Sequence, residues 1–160
     1  MKVDKILVPV DGSVPAESAV YRAVDLARQM GGAALLVVRA AEAPSFPGAD
    51  ATEAQVQVVR EAEEYVAALA ARLKDGGFTQ VESAVWYGPA APSIVQAARA
   101  ARADLIVMTT HGRSGVGRLV MGSVAESVLR GTTTPILLLR DAEAPVERPR
   151  GGPAREMARA

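Results

Sequence analysis

The chain has 160 residues, of which 49% are apolar and 22% are charged, values that are ordinary for one soluble globular domain. Its formal net charge is zero, which argues against a large nucleic-acid footprint or an arm that binds anionic membranes. Because it has no cysteine and one histidine, thiol chemistry, disulfides and metal sites built on thiolates or several imidazoles are excluded.

The N-terminal residues, MKVDKILVPVDGS, lack the apolar run of a signal peptide. No stretch of the sequence approaches the ~20 apolar residues of a membrane span, and we expect a cytoplasmic protein without a membrane segment.

Residues 5–10 (KILVPV) are typical of a strand. Residues 15–30 place alanine and valine at i, i+3, i+4 and i+7, which predicts a helix that Gly31 and Gly32 end.

The remainder continues this alternation of short apolar runs with helical patterns. After a loop over residues 41–51 that contains proline and glycine, Thr52-x-x-Gln55 is typical of a capping box that opens a helix reaching Lys74. The other predicted elements are strand 33–39, strand 79–86, helix 89–101, strand 105–109, helix 122–130 and strand 135–140. We predict one domain over residues 1–140, followed by a polar, flexible tail over residues 141–160, which are rich in Pro, Gly, Glu and Arg.

Strands that are apolar along their whole length and alternate with helices predict an α/β fold with three layers, in which helices cover both faces of an open parallel sheet. Such sheets bind ligands outside the carboxyl ends of their strands, where the winding reverses. Two loops suit that role. One follows the first strand (VPVDGS), and the other is the stretch MTTHGRSGVGRLVMGS at residues 108–123.

The stretch 108–123 is longer than the roughly 2–6 residues of most βα loops. Its glycines allow backbone N–H groups to approach a ligand closely, the next helix begins there, and Arg113 and Arg118 add cationic donors. These features suit a phosphate. The alternative is that Ser123-x-x-Glu126 is a capping box and that the glycines form a tight turn. A P-loop is excluded, and the absence of G-x-G-x-x-G after the first strand argues against a dinucleotide enzyme.

Two further side chains are candidates for chemistry. The carboxylate of Asp11, directly after the first strand, suits ribose hydroxyls or Mg²⁺. Alternatively, Asp11 or Ser13 caps the first helix, with Pro15 in its first turn. His111 is the only imidazole. No serine–acid partner set accompanies it, so a structural role is expected rather than a catalytic one.

Four segments together resemble the universal stress protein (UspA-like) family: KILVPVDGS, HGRSG, GSVAESVL and TPILLLR. The resemblance runs from residue 1 to about residue 140. The family's nucleotide-binding signature, Gly-x2-Gly-x9-Gly-Ser/Thr, corresponds here to Thr109-x2-Gly112-x9-Gly122-Ser123. Thr109 therefore replaces the first glycine, where its backbone stays available and its Cβ is expected to crowd the ligand.

The resemblance implies a Rossmann-like fold of the adenine nucleotide alpha hydrolase type, with strand order 3-2-1-4-5. It implies ATP, with or without Mg²⁺ on Asp11, at the switch between the first and fourth strands. Val38 would contact adenine through its backbone. The implied nucleotide-binding residues are Pro9, Val10, Asp11, Val38, Thr109, Gly112, Arg113, Gly122, Ser123 and Val124.

In that strand order the fifth strand lies at an edge of the sheet. Its apolar residues are Ile136, Leu137, Leu138 and Leu139, and no charge guards this edge. Natural proteins rarely leave such an edge exposed. The family's antiparallel pairing of last strands would cover it, so we predict a homodimer whose interface contains these four residues.

The expected function is that of an ATP-binding universal stress protein, a homodimer that acts in nucleotide-dependent signalling or stress resistance. Because no P-loop lysine or positioned general base is apparent, any ATP hydrolysis is expected to be slow. One alternative is an ATPase or phosphotransferase on the same scaffold. The other is an interaction protein without nucleotide, which Thr109 favours and which Gly112, Gly122 and Ser123 argue against.

Overall fold

The computed structural model describes residues 2–42, 51–110 and 122–140. The elements in chain order are β1 (Lys5–Pro9), α1 (Val14–Gln29), β2 (Ala34–Ala41), α2 (Ala51–Asp75), β3 (Val81–Tyr87), α3 (Ala90–Ala100), β4 (Leu105–Thr109), α4 (Ser123–Gly131) and β5 (Ile136–Leu139). Every predicted strand and helix is found, with bounds that differ by at most two residues. The predicted tail and most of the predicted loop 41–51 lie outside the described residues.

The five strands form one parallel sheet in the order β3-β2-β1-β4-β5, which confirms the predicted topology. After β1 the chain adds β2 and then β3 on one side of this strand, and it then crosses to the other side, where it adds β4 and β5. The connections that follow β1 and β4 therefore leave the sheet in opposite directions. A crevice at the carboxyl ends of β1 and β4 is the consequence of this order.

Each strand of the sheet's centre divides its side chains between two buried layers. In β1, Ile6 and Val8 belong to the layer under α1 and α2, whereas Leu7 belongs to the layer under α3 and α4. Because both faces are covered, the central strands are apolar at nearly every position. None of the described helices has the length and apolar content needed to cross a membrane.

The starts of the helices decide between the capping alternatives. Ser13 is the N-cap of α1, and its hydroxyl oxygen accepts the N–H of Ala16 at 3.3 Å. The proposed Ser123 cap of α4 is wrong, because Gly122 occupies the N-cap and its carbonyl accepts the N–H of Glu126 at 3.0 Å. The carboxylate of Glu126 instead pairs with Arg130, one turn further along α4, at 2.8 Å.

The predicted capping box of α2 is also misplaced. The helix includes Ala51, so Thr52 lies inside it rather than at its N-cap. The side chain of Gln55 reaches back to the sheet, where its Nε2 donates to the carbonyl of Ala41 at 3.4 Å. This contact ties the beginning of α2 to the end of β2.

Candidate functional site

A cavity of about 320 Å³ lies at the carboxyl ends of β1, β2 and β4. This volume is at the lower end of the roughly 300–1,000 Å³ of small-molecule sites. The ends of the three strands and the first turns of α1, α3 and α4 surround it. The cavity therefore occupies the crevice that the strand order creates.

The structure brings together all the predicted nucleotide-binding residues that it describes. Those that line the cavity are Pro9, Val10, Asp11, Val38, Thr109, Gly122, Ser123 and Val124. The predicted residues Gly112 and Arg113, as well as His111 and Arg118, lie outside the described residues. The assignment of these side chains to a ligand stays a prediction.

The turn after β1 holds a carboxylate at the rim of the cavity. Oδ1 of Asp11 accepts the N–H of Ser13 at 2.9 Å, which fixes Asp11 to the start of α1. Gly12 between them has φ +84°, a conformation that side-chain-bearing residues rarely adopt. Asp11 thus organises the turn while it lines the cavity, and the two interpretations of Asp11 are compatible.

The end of β2 presents backbone hydrogen-bonding groups to the cavity. The carbonyl of Val38 accepts the N–H of Val10 at 2.8 Å, whereas the carbonyl of Ala41 accepts the N–H of Gly88 beyond β3. Since backbone groups alternate sides along a strand, the N–H and C=O of Ala40 point toward β1. The β1–β2 pairing ends at Val38, so these groups of Ala40, a residue that lines the cavity, lie beyond the paired part of β1.

The chain returns to the sheet at the end of β4. The carbonyl of Thr110 accepts the N–H of Gly122 at 2.7 Å, which places the first turn of α4 beside the cavity. No side chain of the described residues caps α4, and the N-terminal end of a helix favours an anion. Gly122 has φ −56° and ψ 147°, which any residue adopts, so its backbone conformation does not require glycine.

Sequence reasoning missed several lining residues. These are Ala16, Ala40, Ala90, Ile94, Met108, Thr110 and Ala125. Ile94 and Met108 also belong to the buried layer beneath α3 and α4, and their apolar spacing in the sequence is that of ordinary core residues. The one feature of the sequence that could have indicated any of them is the position of Met108 and Thr110, which flank Thr109 in the motif.

The lining is mainly apolar, and Asp11 is the one carboxylate among its described residues. No group of three or more His, Cys, Asp or Glu that could hold a metal ion occurs in the described ranges. A magnesium ion here would therefore share Asp11 with oxygen atoms of a ligand, as Mg²⁺ does in many nucleotide sites.

The model of the universal stress protein family matches residues 2–140. A universal stress protein of Thermus aquaticus is 38% identical over 136 residues, which cover 84% of this chain and 97% of that protein.

Two solved structures have folds similar to that of this chain. A universal stress protein in complex with cAMP is 26% identical, with a TM-score of 0.60 and coverage of 87% of this chain and 98% of that one. The universal stress protein of Archaeoglobus fulgidus in complex with dAMP is 24% identical, with a TM-score of 0.63 and coverage of 86% and 98%.

Proposed function

The chain belongs to the universal stress protein family, and from that premise we propose that it is a stress-response protein that binds an adenine nucleotide, ATP, in the cavity beside β1 and β4. The observation that carries the proposal is the convergence of eight predicted residues on this one cavity. The solved relatives with cAMP and dAMP support an adenine nucleotide as the ligand.

The arrangement suits the parts of a nucleotide one by one. Adenine has a donor at N6 beside an acceptor at N1, which match the C=O and N–H of Ala40. Apolar contacts from Ile94 and Met108 suit the flat base. Asp11 would accept hydrogen bonds from the ribose hydroxyls or share Mg²⁺ with the phosphates, which would lie at the first turn of α4, where none of the described side chains forms a cap.

The lining favours binding over rapid phosphoryl transfer. Among its described residues Asp11 is the one ionisable side chain, so the described part of the site supplies no cation to stabilise a transferring phosphoryl group. The proposal is therefore a nucleotide-dependent signalling protein, with slow hydrolysis at most.

The proposal includes a homodimer formed through β5. This strand lies at the edge of the sheet, and the carbonyls of Pro135 and Leu139 accept N–H groups of β4 and of Thr110 directly after it. Because backbone groups alternate, those of Ile136 and Leu138 point away from β4. An antiparallel β5 from a second copy would pair with them and cover the exposed part of Leu137.

Calorimetric titration with ATP and Mg²⁺ tests the nucleotide site. The wild type should bind, and Gly122→Val should bind much more weakly, because a branched side chain would stand at the N-terminus of α4 against the phosphates. Gly131→Val is the matched control at the other end of α4, where the added Cβ lies 3.3 Å from a methyl group of Val95. It should retain the wild-type affinity for ATP even if it lowers stability.

Two outcomes would contradict the proposal. One is a wild-type protein that gives neither heat nor a higher unfolding temperature with ATP and Mg²⁺. The other is equal loss of affinity in Gly122→Val and Gly131→Val, which would trace the effect to α4 as a whole rather than to the cavity.

A further inference from the structure

Polar side chains from α1, α2 and β2 form a cluster beside the turn that holds Asp11. We call Glu17, Arg39, Tyr65 and Arg72 the Glu17 cluster. The hydroxyl of Tyr65 donates to Oε1 of Glu17 at 2.8 Å, and Nη2 of Arg72 donates to Oε2 at 3.2 Å. Both carboxylate oxygens of Glu17 are therefore held from α2, which fixes the position of this side chain.

A short path of hydrogen bonds connects this cluster with the cavity. The backbone N–H of Glu17 donates to the carbonyl of Ser13 at 3.1 Å. The N–H of Ser13 in turn donates to Oδ1 of Asp11 at 2.9 Å. Whatever holds Glu17 in place thus also holds the first turn of α1, from which the carboxylate of Asp11 takes its orientation.

Arg39, on β2, is the member of the cluster that lies next to the same turn. Its guanidinium carbon lies 4.8 Å from the ring centre of Tyr65. Its Nη1 lies 4.0 Å from the position that a Cβ on Gly12 would occupy. Arg39 also stands between Val38 and Ala40, both of which line the cavity. The Tyr65 ring therefore lies against a side chain that packs beside the Asp11 turn.

We propose that Tyr65 is a positioning residue for nucleotide binding, which holds Glu17 and the first turn of α1 so that the Asp11 carboxylate faces the ligand. This inference rests on the proposed function. It explains why a tyrosine rather than an apolar residue lies here on α2. The Glu17–Arg72 ion pair is partly exposed and contributes little to stability, so this ion pair alone gives a weak reason for the cluster. Burial and the bond to Glu17 raise the pKa of Tyr65 above its ordinary value of about 10, so the hydroxyl stays protonated and able to donate well above neutral pH.

A double-mutant cycle tests the inference. The affinity for ATP with Mg²⁺ is measured by calorimetry for the wild type, Tyr65→Phe, Asp11→Ala and the double variant. Tyr65→Phe keeps the ring and removes the donor, and it should weaken binding by roughly three- to tenfold, as expected for coupled residues. In the Asp11→Ala background the same change should have no effect. For variants that bind too weakly for calorimetry, the rise in unfolding temperature at millimolar ATP measures the affinity.

Val66→Ala is the control for a general loss of stability. Val66 is the next residue of α2 and is buried, so its truncation opens a small cavity in the core without touching Glu17. It should lower the unfolding temperature and leave the affinity for ATP unchanged.

The possible results separate the two proposals. If the wild type does not bind ATP, the proposed function is wrong. If the wild type binds and Tyr65→Phe binds equally well, the positioning role alone is overturned. It is also overturned if Tyr65→Phe weakens binding equally in both backgrounds, or if Val66→Ala weakens it as much.

Discussion

Leu137→Asp is the most informative test of the β5 edge. Leu138 is a poor probe, because it packs against the buried layer beneath α3 and α4, and a charge there would disturb the fold of the chain itself. Ile136 packs on the same layer, and Leu139 packs on the layer beneath α1 and α2. Leu137 is 39% exposed in the single chain, so its substitution tests whether a second copy covers the edge.

The structure gives an approximate size for the effect. Full burial of a leucine side chain is worth about 1.5–3 kcal/mol. The 39% of Leu137 that remains exposed could therefore contribute about 0.6–1.2 kcal/mol per protomer, or about 1–2 kcal/mol per dimer. A carboxylate at this position also loses hydration without a partner, which adds at least about 2 kcal/mol. The sum of about 3–4 kcal/mol corresponds to a dimer weakened more than about a hundredfold.

Sedimentation velocity over a series of protein concentrations measures this change. The wild type should sediment as a dimer and Leu137→Asp as a monomer at micromolar concentration. Val56→Asp is the matched control, because Val56 is 55% exposed on α2, away from the edge of β5. The reasoning is refuted if the wild type is a monomer, if Leu137→Asp leaves the dimer unchanged, or if Val56→Asp dissociates it equally.

Two further predictions concern the cavity and the Glu17 cluster. Thr109→Gly removes the side chain that replaces the first glycine of the motif, so calorimetry should show tighter ATP binding; weaker binding would mean that the threonine contributes to the site. Burial, followed by the bond to Glu17, raises the pKa of Tyr65 above the ordinary value of about 10. The folded chain then holds this proton more tightly than the unfolded chain, so the stabilisation is fully present below about pH 10 and is lost as the pH rises above it. The urea midpoint of the wild type relative to that of Tyr65→Phe should therefore stay constant up to about pH 10 and fall as the pH rises further, whereas a difference that remains constant above that pH would contradict the shift.

The succession of strands and helices could be predicted from the sequence because each element is short and strongly patterned. Alanines at helical spacing mark the buried stripe of α1, and the unbroken apolar run of β1 reflects cover on both faces. Helix starts were predicted less well. At α4 the N-cap is Gly122 rather than Ser123, since the first helical hydrogen bond ends on the carbonyl of Gly122. Side-chain preferences alone do not show where that first bond forms.

The α/β fold class follows from the alternation of apolar runs and helical patterns, and the family motif indicates the candidate residues after β1 and β4. The position of Ala40 at the cavity is a property of the tertiary structure, because it depends on β1 ending beside Val38 while β2 continues along β3. The same holds for the contact of Tyr65 with Glu17, which lies 48 residues away in the chain. Local patterns indicate which face of an element is buried. They do not indicate where a neighbouring strand ends or which distant side chain contacts a given residue, since both depend on how the whole sheet and its helices pack.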